Sequence, residues 1–353
     1  MSKILHVTDA FNGGVFEVIL ELVRQFPEHD YIILYRAHSW DPTSNITQFF
    51  FEQHVRMVEW NKSSIKKYTQ LNSLISIEKP DLVHLHSTLA GVIGRLIPNS
   101  KKFSLYSPHA FSFQKLDIPI LLRKILYTFE KILQKKTLAN VAFWPIETNL
   151  FKQLAPSSET IYAPVMIEKQ RKRISPKKSS NQNLVRSTSL QVVSIGRLAP
   201  QKDPEFFIQV IENLRKHLIV DAIWYGDGTQ FSLDRLSNKG IKISGWLDPD
   251  QIFTQISRNR SIAVFTSHWE SGPITLFETL SVEVPVVCRS IEAFDCYGLG
   301  DGETPEALSN KILMLNSEPN LNLIAVNQRK LLESKLPKPE TLKLHSLYNG
   351  DSH

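Results

Sequence analysis

Cysteine is nearly absent from this chain: Cys288 and Cys296 are the only two in 353 residues. Two thiols make neither a disulfide framework nor the ligand set of a structural zinc, so they are read as reduced and structural. Long apolar runs are missing too, and nothing approaches the ~18 residues expected of a membrane-spanning helix. The start, Met1-Ser-Lys-Ile-Leu-His-Val-Thr-Asp9, enters a strand pattern directly and does not resemble a secretory leader. The expectation is a cytoplasmic protein. The dinucleotide fingerprint Gly-x-Gly-x-x-Gly does not occur. Acidic residues are in deficit, 35 against 41 lysines and arginines, and the net charge of +6 suggests an anionic partner. Nucleic acid is not that partner. The densest basic run, Lys169-Gln-Arg-Lys-Arg173, lies in a Ser/Asn-rich stretch with no interleaved aromatics and no recognition module.

What is present is alternation. Lys3–Thr8 reads as a strand, and Val15, Val18, Ile19, Leu22, Val23 and Phe26 then recur at helical spacing. Strands follow at 31–35, 55–60 and 80–86, with a helix over 65–78. The pattern restarts at Gln191-Val-Val-Ser-Ile-Gly196 and continues through Trp224-Tyr-Gly226-Asp-Gly228 and Ile241-Lys-Ile-Ser-Gly245 to Ser261–Thr266. Strands separated by helices imply parallel β-α-β units, in which ligands bind beyond the carboxyl ends of the strands at a topological switch point. The length suggests about two domains. Residues 118–138 read as a basic amphipathic helix that either packs on its own sheet or lies on an anionic bilayer.

The stretch Phe265-Thr-Ser-His-Trp-Glu270-Ser-Gly-Pro-Ile-Thr-Leu-Phe-Glu278 organises the rest. A strand runs into a polar loop, and Gly272-Pro273 marks a helix start, where unpaired N–H groups and the helix dipole favour a phosphate. Glu270 precedes that start and Glu278 lies about 9 Å along the helix from residue 272, at a rise of ~1.5 Å per residue. Carboxylates at both ends of an anion site suit a nucleotide diphosphate sugar, with hydroxyls at either end.

Glu, seven intervening residues and Glu, preceded by a strand and followed by Val284-Pro285-Val286-Val287, resembles the donor site of the retaining glycosyltransferases of family four. The resemblance is weaker before residue 190 and specific from Gly196 to Val287. It implies an α/β GT-B fold, two Rossmann-like domains facing each other across a cleft. The implied boundaries are an acceptor-binding domain at 1–167, a basic linker at 168–189, a nucleotide-sugar domain at 190–335 and a helix at 336–353 crossing back. It implies that Glu270 contacts the donor sugar and Glu278 the ribose, with Ser271, Gly272, Pro273 and Ile274 between them, and that Arg197 and Lys202, behind Gly196, reach the diphosphate. Gly13 and Gly14 match its glycine-bearing loop, and Gly226 and Gly228 its turn beside the nucleotide. Trp246 and Leu247 fall where main-chain atoms meet the base. His109 matches the His-Gly motif near the sugar, with Ala110 in place of glycine. Val282 and Glu283 stand where relatives carry small residues.

The expected activity is transfer of a sugar from a UDP- or GDP-sugar to a hydroxyl of a glycan or lipid-linked glycan, with retention, in bacterial surface-glycan synthesis. No metal or other cofactor is expected. The competing readings are a basic binding protein on a degenerate GT-B scaffold and a GT-B sugar-nucleotide epimerase. By side-chain alternation, His84 is read as a core histidine and His86, at a strand end, as a candidate substrate contact.

Overall fold

The computed structural model describes residues 1–9, 13–36, 55–164 and 189–350. The basic stretch from Lys169 to Thr188 lies outside these residues. The chain divides into two compact units, Met1–Lys169 with Pro337–His353, and Gln170–Leu336.

The first unit is a seven-stranded sheet in the order β3-β2-β1-β4-β5-β6-β7, built from Arg56–Glu59 (β3), Asp30–Tyr35 (β2), Lys3–Thr8 (β1), Leu82–His86 (β4), Ser104–Ser107 (β5), Ala139–Ala142 (β6) and Thr160–Tyr162 (β7). The second has six strands in the order β10-β9-β8-β11-β12-β13: Lys242–Ile243 (β10), Val220–Tyr225 (β9), Leu190–Ile195 (β8), Ser261–Phe265 (β11), Val286–Arg289 (β12) and Gly300–Gly302 (β13). Every pairing is parallel. The α/β expectation is met twice.

Sheets with helices on both faces need strands that are apolar on both sides. Leu190-Gln-Val-Val-Ser-Ile195 and Ser261-Ile-Ala-Val-Phe265 are buried at every position. Against them pack Phe207, Ile211 and Leu214 of the helix Pro204–Arg215, with Leu308 and Ile312. Both sheets reverse their strand order once, at β1/β4 in the first unit and β8/β11 in the second. Those two points are where the carboxyl-end loops diverge and leave a crevice.

The helix Thr341–Asn349 belongs to the first unit, and Tyr348 is fully buried there against His84, its hydroxyl 2.8 Å from Nδ1. The other nitrogen of His84, Nε2, is 2.9 Å from Ser107 Oγ, and that hydroxyl donates to the Val141 carbonyl at 2.8 Å. Since Ser107 has one proton and gives it to a carbonyl, His84 must donate from Nε2 and accept from Tyr348 at Nδ1. His84 is therefore a satisfied core histidine, as its place in the strand suggests.

The helix Ile120–Leu133 departs from the usual pattern. Only Glu130 and Leu133 of its residues are buried, and Glu130 is held by Arg95 Nη2 at 2.9 Å and by the Tyr106 hydroxyl at 3.0 Å. On its apolar side Leu122, Ile125, Phe129 and Ile132 are exposed, as are Ile120 and Leu121, while Leu126 is half-buried and Leu133 buried. The inward side of this helix is thus Glu130 and Leu133 with Leu126 half-buried, and most of its apolar side chains face outward.

Candidate active site

At the switch point of the second unit, β8 and β11 each release a loop into a helix, and the loops are sewn together. The Thr266 hydroxyl donates to the Lys202 carbonyl at 2.6 Å and the His268 N–H to the Gln201 carbonyl at 2.8 Å. Gln201 Nε2 reaches the Trp269 carbonyl at 3.1 Å. These bonds fix the side chains that follow. Glu270 is 8% exposed, and its Oε1 accepts from Lys202 Nζ at 2.6 Å and from the Ser267 hydroxyl at 2.9 Å. Oε2 lies 3.4 Å from Gln201 Nε2. An ammonium has three donors, so Lys202 keeps two for a ligand after serving Glu270.

The glycines at this point are required by the backbone. Gly196 has φ of 137°, and a Cβ there would stand 3.0 Å from Lys202 Cε. Gly226, with φ of 146°, approaches so closely that a Cβ would meet the Gly196 carbonyl oxygen at 2.1 Å. That oxygen is held by Trp224 Nε1 at 2.7 Å. Any side chain at residue 226 would push the β8 loop away from β9.

Behind Lys202 is a cluster that the sequence reading did not find. Asp203 caps the helix Pro204–Arg215 by accepting from the Phe206 N–H at 3.1 Å. Its Oδ2 pairs with both Arg289 Nη1 and His268 Nε2 at 2.9 Å, and the guanidinium lies 4.4 Å above the Phe206 ring. Arg289 ends β12 and His268 follows β11, so strand-end position was the available signal. The pairing through Asp203 depends on tertiary folding and has no mark in the sequence.

The remaining expected residues of this unit are placed as follows. Arg197 is exposed directly after Gly196, and Gly228 bridges to Leu198. Ser271 and Pro273 are buried, while Gly272 and Ile274 are partly so. The helix Ile274–Ser281 starts one residue after Pro273, and Glu278 lies partly buried in its second turn. Trp246 is 67% exposed, so its indole is not a core residue, and Leu247 is partly buried. Asp248 caps the helix Pro249–Arg258, accepting from the Asp250 N–H at 2.9 Å.

Val282 and Glu283 have a local explanation. They end the helix Ile274–Ser281, and Glu283 has φ of 59°, the left-handed position that glycine usually fills after a helix. Their departure from the pattern is a matter of helix capping. Glu283→Gly is expected to stabilise the chain by about 1 kcal/mol, read as a higher urea midpoint; a lower midpoint would contradict this assignment.

In the first unit, Gly13 and Gly14 open the helix Gly13–Gln25 after β1; residues 10–12 lie outside the description. Across the switch, the Ser87 hydroxyl at the end of β4 donates to Asp9. His86 Nδ1 is 2.8 Å from His109 Nε2, and His86 Nε2 is 2.9 Å from His6 Nδ1. His86 is fully buried with both nitrogens engaged, so it does not touch a substrate directly, contrary to the reading from its strand-end position. His109 is partly accessible and stacks on Phe143, with ring centroids 5.3 Å apart. His109 and Ala110 both have positive φ, 52° and 121°, which is why a glycine suits the second position. Burial takes the imidazoles of His6 and His109 down to about 3 and those of His84 and His86 well below the usual histidine range. All four are uncharged at neutral pH.

His6, His84 and His86 lie close enough together to suggest a metal site. The hydrogen bonds do not fit one. His84 has its only lone pair on the Tyr348 hydroxyl, and a cation there would break the Tyr348–His84–Ser107 relay.

Residues 189–317 match the family model for group 1 glycosyl transferases. The chain is 24% identical over 310 residues, 80% of it and 78% of the other, to UDP-Gal:alpha-D-GlcNAc-diphosphoundecaprenol alpha-1,3-galactosyltransferase of Escherichia coli. Among solved structures, sucrose-phosphate synthase from Thermosynechococcus elongatus superposes with a TM-score of 0.74 at 13% identity, covering 99% of each chain. HepE of Anabaena in complex with UDP-glucose gives 0.69 at 15% identity, again covering 99% of each. The chain thus has the α/β fold of GT-B glycosyltransferases, and residues 189–317 of its second unit are similar to group 1 glycosyl transferases.

Proposed function

We propose that this chain transfers a sugar from a UDP-sugar to a hydroxyl of a lipid-linked glycan, with retention of anomeric configuration, in the synthesis of a bacterial surface glycan. The observation that carries this is the Lys202–Glu270 pair at 2.6 Å, set at the switch point of the domain that matches the family model. Lys202 and Arg197 supply cationic donors for a diphosphate that gains charge as it leaves. Glu270 accepts from sugar hydroxyls and Glu278 from the ribose. The C1–phosphate oxygen bond breaks, the acceptor oxygen bonds to C1 on the same face, and its proton passes to the departing diphosphate. UDP is preferred over GDP because the Escherichia coli relative uses a UDP-sugar and HepE holds UDP-glucose. Incubation with UDP-galactose, UDP-glucose and a polyprenyl-diphosphate sugar acceptor should release UDP and extend the acceptor. No release from any UDP-sugar would overturn the reading.

The acceptor's lipid accounts for the inverted helix Ile120–Leu133. Among the described residues no helix is long and apolar enough to cross a membrane, but Ile120, Leu121, Phe129 and Ile132 are each at least 55% exposed. Exposed Lys124, Lys131, Lys135 and Lys136 lie beside them. Each such apolar side chain, if fully buried in lipid, contributes about 1.5–3 kcal/mol, and each lysine near an anionic surface adds about 1 kcal/mol. The chain should sediment with vesicles containing anionic lipid at low salt. Replacing Leu121 and Ile132 with serine should release it, and failure of the unaltered chain to sediment would remove the membrane from this account.

A further inference from the structure

The three imidazoles His109, His86 and His6 form a line, and proton counting restricts what it can do. Each neutral ring carries one N–H. The two ring-to-ring contacts, at 2.8 and 2.9 Å, consume two of the three protons. The third must sit at one end, on His109 Nδ1 or on His6 Nε2. The rings therefore have two arrangements: all protonated at Nδ1, or all at Nε2.

The two ends are unequal. His6 Nε2 is buried and has no partner among the described residues, and the ring is sealed between strands by Tyr31 and His84. His109 Nδ1 belongs to a partly accessible residue. A proton on His6 Nε2 would be an orphaned buried donor, and buried N–H groups without partners are rarer in native proteins than under-satisfied acceptors. A proton on His109 Nδ1 can reach solvent or a ligand. His84 cannot rescue His6, because both of its nitrogens are committed to Tyr348 and Ser107.

We propose that His86 and His6 are positioning residues that lock His109 in its Nδ1–H tautomer, so that His109 offers a substrate sugar oxygen a fixed, uncharged hydrogen-bond donor and never a general base. This rests on His109 being a sugar contact. The wire also fixes the ring's rotation, since Nε2 must stay on His86 while Phe143 packs against the face.

The test is nitrogen-15 NMR on the full chain labelled at histidine, with rings assigned by single substitutions. His109 is expected to carry its proton on Nδ1 with Nε2 bare. His86→Leu removes the donor to His109 Nε2, and the His109 proton should redistribute onto Nε2, with kcat falling about tenfold for the loss of one oriented hydrogen bond. His86→Asn, which can place an N–H near the lost Nδ1, should restore both the tautomer and most of the rate. A proton on Nε2 of His109 in the unaltered chain overturns the proposal even if His86→Leu fails to fold. So do unchanged His109 resonances in a folded His86→Leu. If His109→Ala leaves transfer untouched while the tautomer is as expected, the sugar-contact reading fails and the locked tautomer stands.

Discussion

Lys202→Ala is expected to lower turnover about 10²–10³-fold, the effect of deleting one preorganised donor aimed at developing charge. The expectation follows from where the ammonium stands. Its 2.6 Å bond to Glu270 holds it at the switch point, and its stem runs so close to Gly196 that a Cβ there would stand 3.0 Å from Cε, so it is placed before a diphosphate arrives. Alanine also leaves Glu270, 8% exposed, without its cation, which costs about 1–3 kcal/mol of stability. The two effects separate in Lys202→Met combined with Glu270→Gln, which removes both charges together. That double variant should recover thermal stability and remain inactive. UDP release measured beside thermal unfolding checks both, and unchanged turnover in Lys202→Ala would remove Lys202 from the site.

Acid lability of the first unit is the second large expectation. His6, His84 and His86 are fully buried, and their folded pKa values are depressed, His6 to about 3. The unfolded chain takes up protons below about 6.5 that the native rings refuse. Stability is therefore full above pH 6.5 and falls as the pH drops toward 3, each ring contributing about 1.4 kcal/mol per pH unit. Glu147 acts in the opposite sense. Its carboxyl is buried and pushed up to about 8, so acidification from pH 8 to about 4.5 adds about 1.4 kcal/mol per unit. His109 acts in the same direction as these three rings, so four imidazoles oppose one carboxyl and stability falls on balance as the pH drops from 6.5 to 4.5. Urea unfolding at pH 7 and pH 5, followed in the first unit by Trp60 and Trp144, should show the midpoint collapse; equal midpoints would mean the histidines are not neutral in the fold.

The fold was legible because its signals are local. Runs such as Gln191-Val-Val-Ser-Ile and Ile262-Ala-Val-Phe265, punctuated by glycine and followed by helical spacing, specify parallel units without knowledge of their neighbours. The second unit's candidate residues could be listed for a related reason: Gly196, Lys202 and Glu270 lie in the loops after β8 and β11, Glu278 lies in the helix that follows β11, and the fold pairs β8 with β11. Contacts made only by tertiary folding left no such mark. Asp203 joins Arg289 across 86 positions, and the His109–His86–His6 line joins the loop after β5, the end of β4 and the interior of β1. The helix at 120–133 stayed open between two readings, since an apolar stripe has the same periodicity whether it faces a core or not. Only the burial of Glu130 by Arg95 and Tyr106 settles which side faces in.

On the proposed function, the loops after β8 and β11 and the helices that follow them bind the nucleotide of a sugar donor. Calorimetric titration of the full chain with UDP tests it most directly, alongside Glu278→Ala, which keeps the helix and loses only the carboxylate. Saturable 1:1 binding is expected for the unaltered chain, with affinity weakened about tenfold or more in Glu278→Ala, for loss of charge-assisted bonds of about 1.5–3 kcal/mol. Absence of UDP binding, or equal affinity in both, would contradict it.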